Sequence, residues 1–259
     1  MLTGSNAALG RALSHFWQQK HTDDLLNCPD ETCWTSVDKA QRTVETFCPD
    51  LLINCPNFGD TGAERQKVPN IGCISRTAFL WEALRQSSFK TDKIILLSSG
   101  SIYEGIEKKG APIGEEAPIT SHTLEDLEIL TVDLMAYQYF RAYKMPIVRL
   151  RLFDIFDGQS GMVLTRNYQP EEAEGGLDLT ELQDLQRAIE LAAELGKPGE
   201  IYNICSQQIV PNRILAEKFK LNPQPLYSDS LTFKSPGSCK KFINLTAWQP
   251  KVYNFQNYH

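Results

Sequence analysis

The residues with the clearest chemical use lie near the start of the chain, where Thr3-Gly4-Ser5-Asn6-Ala7-Ala8-Leu9-Gly10 runs straight into a helical pattern. Glycines at such spacing let the backbone turn tightly and let a pyrophosphate reach the N–H groups at a helix N-terminus. Gly4, Asn6, Ala7, Leu9 and Gly10 are therefore candidate phosphate contacts, although glycines before helices are common for other reasons. Ala7 holds the middle position, where a methyl group crowds a phosphate. Only Met1 and Leu2 precede the turn, so the first strand reads as truncated. A second candidate is His122, whose ring titrates near neutral pH just ahead of a long helical segment. It reads either as a general acid or as a loop bystander.

These groups need a scaffold, and the alternation of segments supplies one. Residues 8–20 put Leu9, Leu13, Phe16 and Trp17 on one helical face. A helix over 37–47 leads to a short buried strand, Leu51 to Asn54; a helix over 74–85 leads to a strand over 93–99; a helix over 124–143 leads to a strand over 146–152. The last helix begins with Glu125, Asp126 and Glu128, acids that complement the helix dipole. Thr180-Glu181-Leu182-Gln183 reads as a capping box for a further helix. Continuous apolar strands separated by helices imply a parallel sheet covered on both faces, an α/β, Rossmann-like, doubly wound fold.

Composition narrows the field. The 259 residues carry a net charge of −6, and with no basic stripe nucleic-acid binding has no electrostatic basis. Apolar runs such as Ile94 to Leu97 are too short for a bilayer. Seven cysteines, with no Cys-x-x-Cys and no histidines at zinc-site spacing, read as thiols of a reduced, cytoplasmic protein with no metal site.

Taken in order, the glycine turn, Pro49-Asp50-Leu51-Leu52-Ile53-Asn54-Cys55, Asn70-Ile71-Gly72, LLSSGSIYEG at 96–105, EEAP at 115–118, MPIVRLRLFDIFDG at 145–158 and IYNICS at 201–206 resemble the extended short-chain dehydrogenase/reductases. The likeness is to the dTDP-4-dehydrorhamnose reductase and NAD-dependent epimerase/dehydratase types. It covers residues 1–158 and resumes over 177–250.

The resemblance implies a dinucleotide-binding domain over 1–157 and a small, reduced C-terminal substrate lobe over 158–259, the segment between Gly158 and Leu177 being short. It implies NAD or NADP as cofactor and adds Asn54 and Asn70 to the cofactor-binding candidates. Asp30 is the candidate for the ribose hydroxyls, or else part of a Pro-Asp turn. Ser99 matches the serine that hydrogen-bonds the substrate, or is a strand-end serine satisfying local backbone.

One part of the pattern is missing. In the family a tyrosine acts as general acid or base, and a lysine four residues later lowers its pKa from about 10. No tyrosine here is followed four residues later by lysine. Counting back from Pro146 and Arg151 puts Glu125 and Ile129 at those positions. The expectation is a relative without standard hydride transfer, acting as a nucleotide-binding, scaffold or regulatory protein with a protein partner or as a homodimer. The alternatives are an active enzyme with a relocated acid, His122 or a water held by Ser99 and Ser101, and a chain that has lost the cofactor altogether.

Overall fold

The computed structural model describes residues 1–20, 27–56, 72–103, 111–121, 123–158, 160, 163–165, 176–211, 214–215 and 235–251. Its centre is a parallel sheet of β1 (Leu51–Asn54), β2 (Lys93–Ser99), β3 (Ile147–Leu152) and β7 (Ile201–Ile204), in the order β1-β2-β3-β7. Register runs Leu51 with Lys93, Ile94 with Ile147 and Arg149 with Ile201. Met1 to Thr3 extend the sheet beyond β1. Leu2 bridges Ile53 in parallel, the Thr3 N–H donates to Ile53 O at 3.0 Å, and the Leu2 N–H donates to Asn27 O on the far side at 2.9 Å.

Helices cover both faces, as the strand pattern requires. Along β2, Ile95 and Leu97 face one apolar cluster and Ile94 and Leu96 face another. The first cluster takes Leu9, Leu13 and Trp17 from α1 (Ala8–Lys20) and Leu185, Ala188 and Ile189 from α5 (Leu182–Leu195). The second takes Val44 from α2 (Val37–Phe47), Leu80 and Trp81 from α3 (Gly72–Gln86) and Val132 and Ala136 from α4 (Leu124–Tyr143). β7 and α5, both beyond residue 157, thus belong to the sheet and its covering layer. A third cluster, Phe156, Leu177, Leu179, Val210 and Leu215, forms around two small pairings. In one, β4 (Asp154–Phe156) runs parallel to β6 (Leu179–Glu181); in the other, β5 (Gly176–Leu177) runs antiparallel to β8 (Val210–Pro211).

Helix ends follow local chemistry. Ser36 caps α2 by accepting from the Lys39 N–H, and Cys48, at φ 40°, ends it just before Pro49. Thr123 and Asp126 form a reciprocal capping box at α4, an arrangement that satisfies two otherwise orphaned donors. The box expected at Thr180 does not form. Thr180 is buried in β6, and Glu181 stands at the N-cap of α5 with no side-chain capping bond, because pairing with β4 holds residues 179–181 extended. β3 starts at Ile147 rather than at Pro146, which has no N–H to give but whose carbonyl accepts from Ile94 N.

Candidate functional site

All the sheet strands run parallel, so Thr3, Asn54, Ser99, Leu152 and Ile204 come out along one edge. The chain leaves Met1–Thr3 toward Asn27 on one side and returns through β1 on the other. That reversal marks the crevice where open α/β sheets bind ligands.

The glycine turn sits at this crevice. Gly4 has φ +71°, and a Cβ there would lie 2.0 Å from Cys55 O, so the loop lies flat on the end of β1. A Cβ at Gly10 would lie 2.0 Å from Gly4 O, so α1 packs directly on the turn. The Ala7 N–H donates to Gly4 O at 3.1 Å and its side chain is buried. Leu9 points into the core, while Asn6 is exposed and its carbonyl accepts from the Arg11 guanidinium.

Thr3 Oγ1 donates to Asn54 Oδ1 at 2.8 Å and accepts from the Cys55 N–H at 3.3 Å, tying the turn to β1. Asn54 Nδ2 is buried with no hydrogen-bond partner among the described residues. It lines a cavity of about 30 Å³ with Thr3, Gly4, Glu31, Trp34 and Arg76. Arg76 and Glu31 form an ion pair at 3.8 Å.

Asp30 is exposed and caps the 3₁₀ turn Glu31–Trp34, its carboxylate accepting from the Thr32 N–H at 2.8 Å, which holds its pKa below the ordinary value. The acid at the cavity is its neighbour Glu31. Sequence reasoning passed over Glu31, Trp34 and Arg76, since only the 3₁₀ turn and α3 bring them to the glycine loop. Asn70 and His122 lie outside the described residues.

Ser99 ends β2, nearly buried, its Oγ accepting from the Ser101 N–H at 3.1 Å. Ser101 Oγ is itself buried without a partner among the described residues. The neighbouring Ser98 Oγ donates to Asp133 Oδ2 at 2.8 Å. Asp133 is the hub of a buried charge cluster: Arg149 Nη1 donates to Oδ1 at 3.0 Å, Arg151 Nε to Oδ2 at 3.0 Å and Arg151 Nη2 to Oδ1 at 2.9 Å. Burial alone would raise the Asp133 pKa. The hydrogen bonds and charge of Arg151, with Arg149 and Ser98, outweigh it and hold the carboxyl below its usual range. The signal for this cluster was available: Arg149 and Arg151 share one face of an otherwise apolar strand, and Asp133 is an acid on the inward face of a helix.

Arg151 also donates to the hydroxyl of Tyr103, which in turn donates to Asn203 Oδ1 at 3.3 Å. Burial pushes this phenol up to about 12 even beside the Arg151 charge. Tyr103 is a structural member of the cluster with no proton to exchange near neutrality.

At the start of α4, Glu125 is exposed, Asp126 accepts from Thr123 in the capping box, and Ile129 packs half-buried against the core. Ile129 lies one turn before Asp133 on the helix face that meets the end of β2. Of the tyrosines further along, Tyr139 meets Trp81 edge-on at 5.5 Å, whereas Tyr137 and Tyr143 are exposed beneath Arg149 and Arg85.

No family model matches the chain. Its fold does match solved structures over nearly its whole length. A dTDP-glucose 4,6-dehydratase from Bacillus anthracis, in complex with NAD, aligns with a TM-score of 0.76 at 15% identity, covering 98% of this chain and 92% of that one. RMD from Pseudomonas aeruginosa, complexed with NADPH, aligns at 0.76 and 20% identity, covering 98% and 96%. A UDP-glucose 4-epimerase from Thermotoga maritima, with UDP-glucose, aligns at 0.75 and 16% identity, covering 98% and 94%. At these identities the likeness is one of fold, and the fold is the Rossmann-like one expected from the strand and helix pattern.

Proposed function

We propose that this chain is a divergent counterpart of the sugar-nucleotide reductases and epimerases, without standard hydride transfer, that serves as a nucleotide-binding, scaffold or regulatory protein. The observation that carries this reading is the first two turns of α4. Where the resemblance puts a proton-donating tyrosine and a cationic lysine, Glu125 faces solvent and Ile129 joins the apolar core. Tyr103, a phenol near the end of β2, is locked by Arg151 and Asn203.

The two ends of a dinucleotide site fare differently. The turn fits a pyrophosphate: Gly4 and Gly10 allow the close approach of loop and helix, and the backbone around Ser5–Ala8 with Arg11 would hold the phosphates. An NAD or NADP bound there would supply a hydride donor or acceptor. The adenosine end would meet the small pocket lined by Glu31, Trp34 and Arg76, where Glu31 and Arg76 stand 3.8 Å apart. Ser99 would then hold a hydroxyl or carbonyl of a second ligand, with no hydrogen-bonded acid beside it among the described residues. A cytoplasmic setting and a protein partner belong to the same reading.

One observation favours the alternative of a relocated acid. Ser101 Oγ, partnerless and next to Ser99, could hold a water at the sheet edge. The two readings separate in one experiment. Purified protein is titrated with NADH and NADPH, following nicotinamide fluorescence and the thermal midpoint, and then assayed on dTDP- and UDP-4-keto sugars. The expected result is no turnover. Binding at 100 times a micromolar Kd adds about 2.7 kcal/mol of stability, or about 5–11 °C for a chain of this size. Such a shift would assign a nucleotide-binding role, and its absence a scaffold role. Turnover that Ser99→Ala abolishes would overturn the proposal.

A further inference from the structure

The end of β7 and the start of the last helix bring two cysteines together. Cys205 follows β7, and Cys239 stands at the N-cap of α6 (Lys240–Thr246). Both are buried, in the same apolar cluster. The Cys239 thiol donates to Cys205 O at 3.4 Å, across 34 positions of sequence, and the two thiols also hydrogen-bond each other. Neither sulfur belongs to the glycine turn, to the Ser99 edge or to the Asp133 cluster.

The contact is held from several sides. Asp178 accepts from the N–H of Ser206, next to Cys205, and from the N–H of Gly237, two residues before Cys239. The Ile113 N–H donates to Pro236 O and the Ser238 N–H donates to Ile113 O, each at 2.8 Å. Asn203 Nδ2, two residues before Cys205, donates to Ile113 O at 3.1 Å. Gly237 lies so close to the thiol that a Cβ there would come within 2.8 Å of Cys205 Sγ. This frame keeps the two sulfurs facing each other, which cysteines need if they are to be bridged without a large backbone movement.

We infer that Cys205 and Cys239 are a redox modification site, which a hydroperoxide converts into an intramolecular disulfide that fastens α6 to the sheet. Burial and the neighbouring Cys239 thiol raise the Cys205 pKa well above its ordinary value, so Cys205 keeps its proton and Cys239 is the attacking sulfur. Cys239 Sγ attacks one oxygen of hydrogen peroxide. The O–O bond breaks, the sulfur becomes a sulfenic acid, and the thiol proton leaves with the other oxygen as water. Cys205 Sγ then attacks the Cys239 sulfur. The S–O bond breaks, the S–S bond forms, and the Cys205 proton leaves with the hydroxyl as a second water. Two thiols are oxidised and one peroxide is reduced. Full burial favours an oxidant little larger than water over a bulky one such as oxidised glutathione. The site lies just behind the crevice: Gly237 packs on Phe153, whose ring stacks on Tyr103 and touches Gly100, the residue after Ser99.

The test treats the reduced full chain with hydrogen peroxide, natively and in concentrated urea, alkylates the remaining thiols and maps the peptides by mass spectrometry. The expected result is a 205–239 linkage as the main disulfide of the native protein, cleaved by dithiothreitol. It should raise the thermal midpoint by about 6–16 °C, the scale for a closed loop of this length in a chain of this size. Cys205→Ser and Cys239→Ser should each abolish both the linkage and the shift. Cys205→Ser should also leave a sulfenic acid on Cys239 that dimedone traps. Absence of the linkage under conditions that oxidise the exposed Cys48 would overturn the inference. So would a linkage found only in urea, or one that leaves the midpoint unchanged. Should either serine variant misfold, the wild-type peptide map and midpoint decide alone.

Discussion

Replacing Asp133 by asparagine keeps the shape of the side chain and removes its charge, leaving Arg149 and Arg151 in the interior with no counter-ion. The side chains of all three residues are almost fully buried, at 0%, 6% and 3% exposure. Breaking such a cluster from one side costs about 3–5 kcal/mol, most of it the penalty of an uncompensated buried charge. That is a large share of the roughly 5–15 kcal/mol by which domains are stable, and it should lower the thermal midpoint by about 6–20 °C. Urea unfolding followed by circular dichroism, with calorimetry alongside, measures it. The joint replacement Asp133→Leu/Arg149→Met/Arg151→Met should cost less than the single substitution, because it removes the charges together with their desolvation. The pH dependence has a definite sign. The folded carboxyl lies below its ordinary value of 3.8, so its contribution is present above about pH 4 and fades as pH falls further. The gap between wild type and Asp133→Asn should therefore narrow below pH 4. A single-substitution cost under 1 kcal/mol, or a triple variant worse than the single one, would refute the account of the cluster.

Gly4→Ala should cost about 2–4 kcal/mol, because the residue combines a left-handed backbone with a Cβ placed 2.0 Å from Cys55 O; a change in urea midpoint worth less than about 0.5 kcal/mol would show that the turn relaxes freely. Asp178 accepts from Ser206 N, Ser206 Oγ and Gly237 N, yet complete burial pushes it up to about 7. Its folded pKa thus lies above the ordinary 3.8, so this contribution is complete below about pH 4 and is lost as pH rises through 7. Stability in urea should fall from pH 5 to 8 in the wild type and fall less in Asp178→Asn, and equal slopes in the two proteins would assign the effect to another group.

The layers of the fold were legible because they follow periodicity. α1, α2 and α4 and the strands at 51–54 and 93–99 occur at the residues expected, since an apolar run between helices can only be a strand buried on both faces. The glycine turn was legible for the same local reason. The misses are of a different kind. Thr180 and Gln183 had the letters of a capping box, but pairing of β6 with β4 outweighs a local side-chain bond worth about 1 kcal/mol. Asp126, which does form one with Thr123, was read only as a dipole-favouring acid. Glu31, Trp34 and Arg76 are far apart in sequence or sit beside the more conspicuous Asp30, so only the packing of α3 on the 3₁₀ turn brings them to the cavity.

The strand registers also set the order in which this chain can assemble. Every strand pairing described in the central sheet is parallel and joins residues 42 to 53 positions apart, with no hairpin among them. Each must meet its loop-closure entropy before any ladder bond forms. Local structure in α2, α3, α4 and α5 therefore precedes the sheet, and the zipping of β2 to β3, which also closes the Ser98–Asp133–Arg151 cluster, becomes a late and slow event. Until then the apolar faces of both strands stay exposed together. The vulnerable moment for aggregation is the approach to the native sheet, and substitutions at Arg149 or Arg151 should lengthen it more than equally destabilising ones in α1.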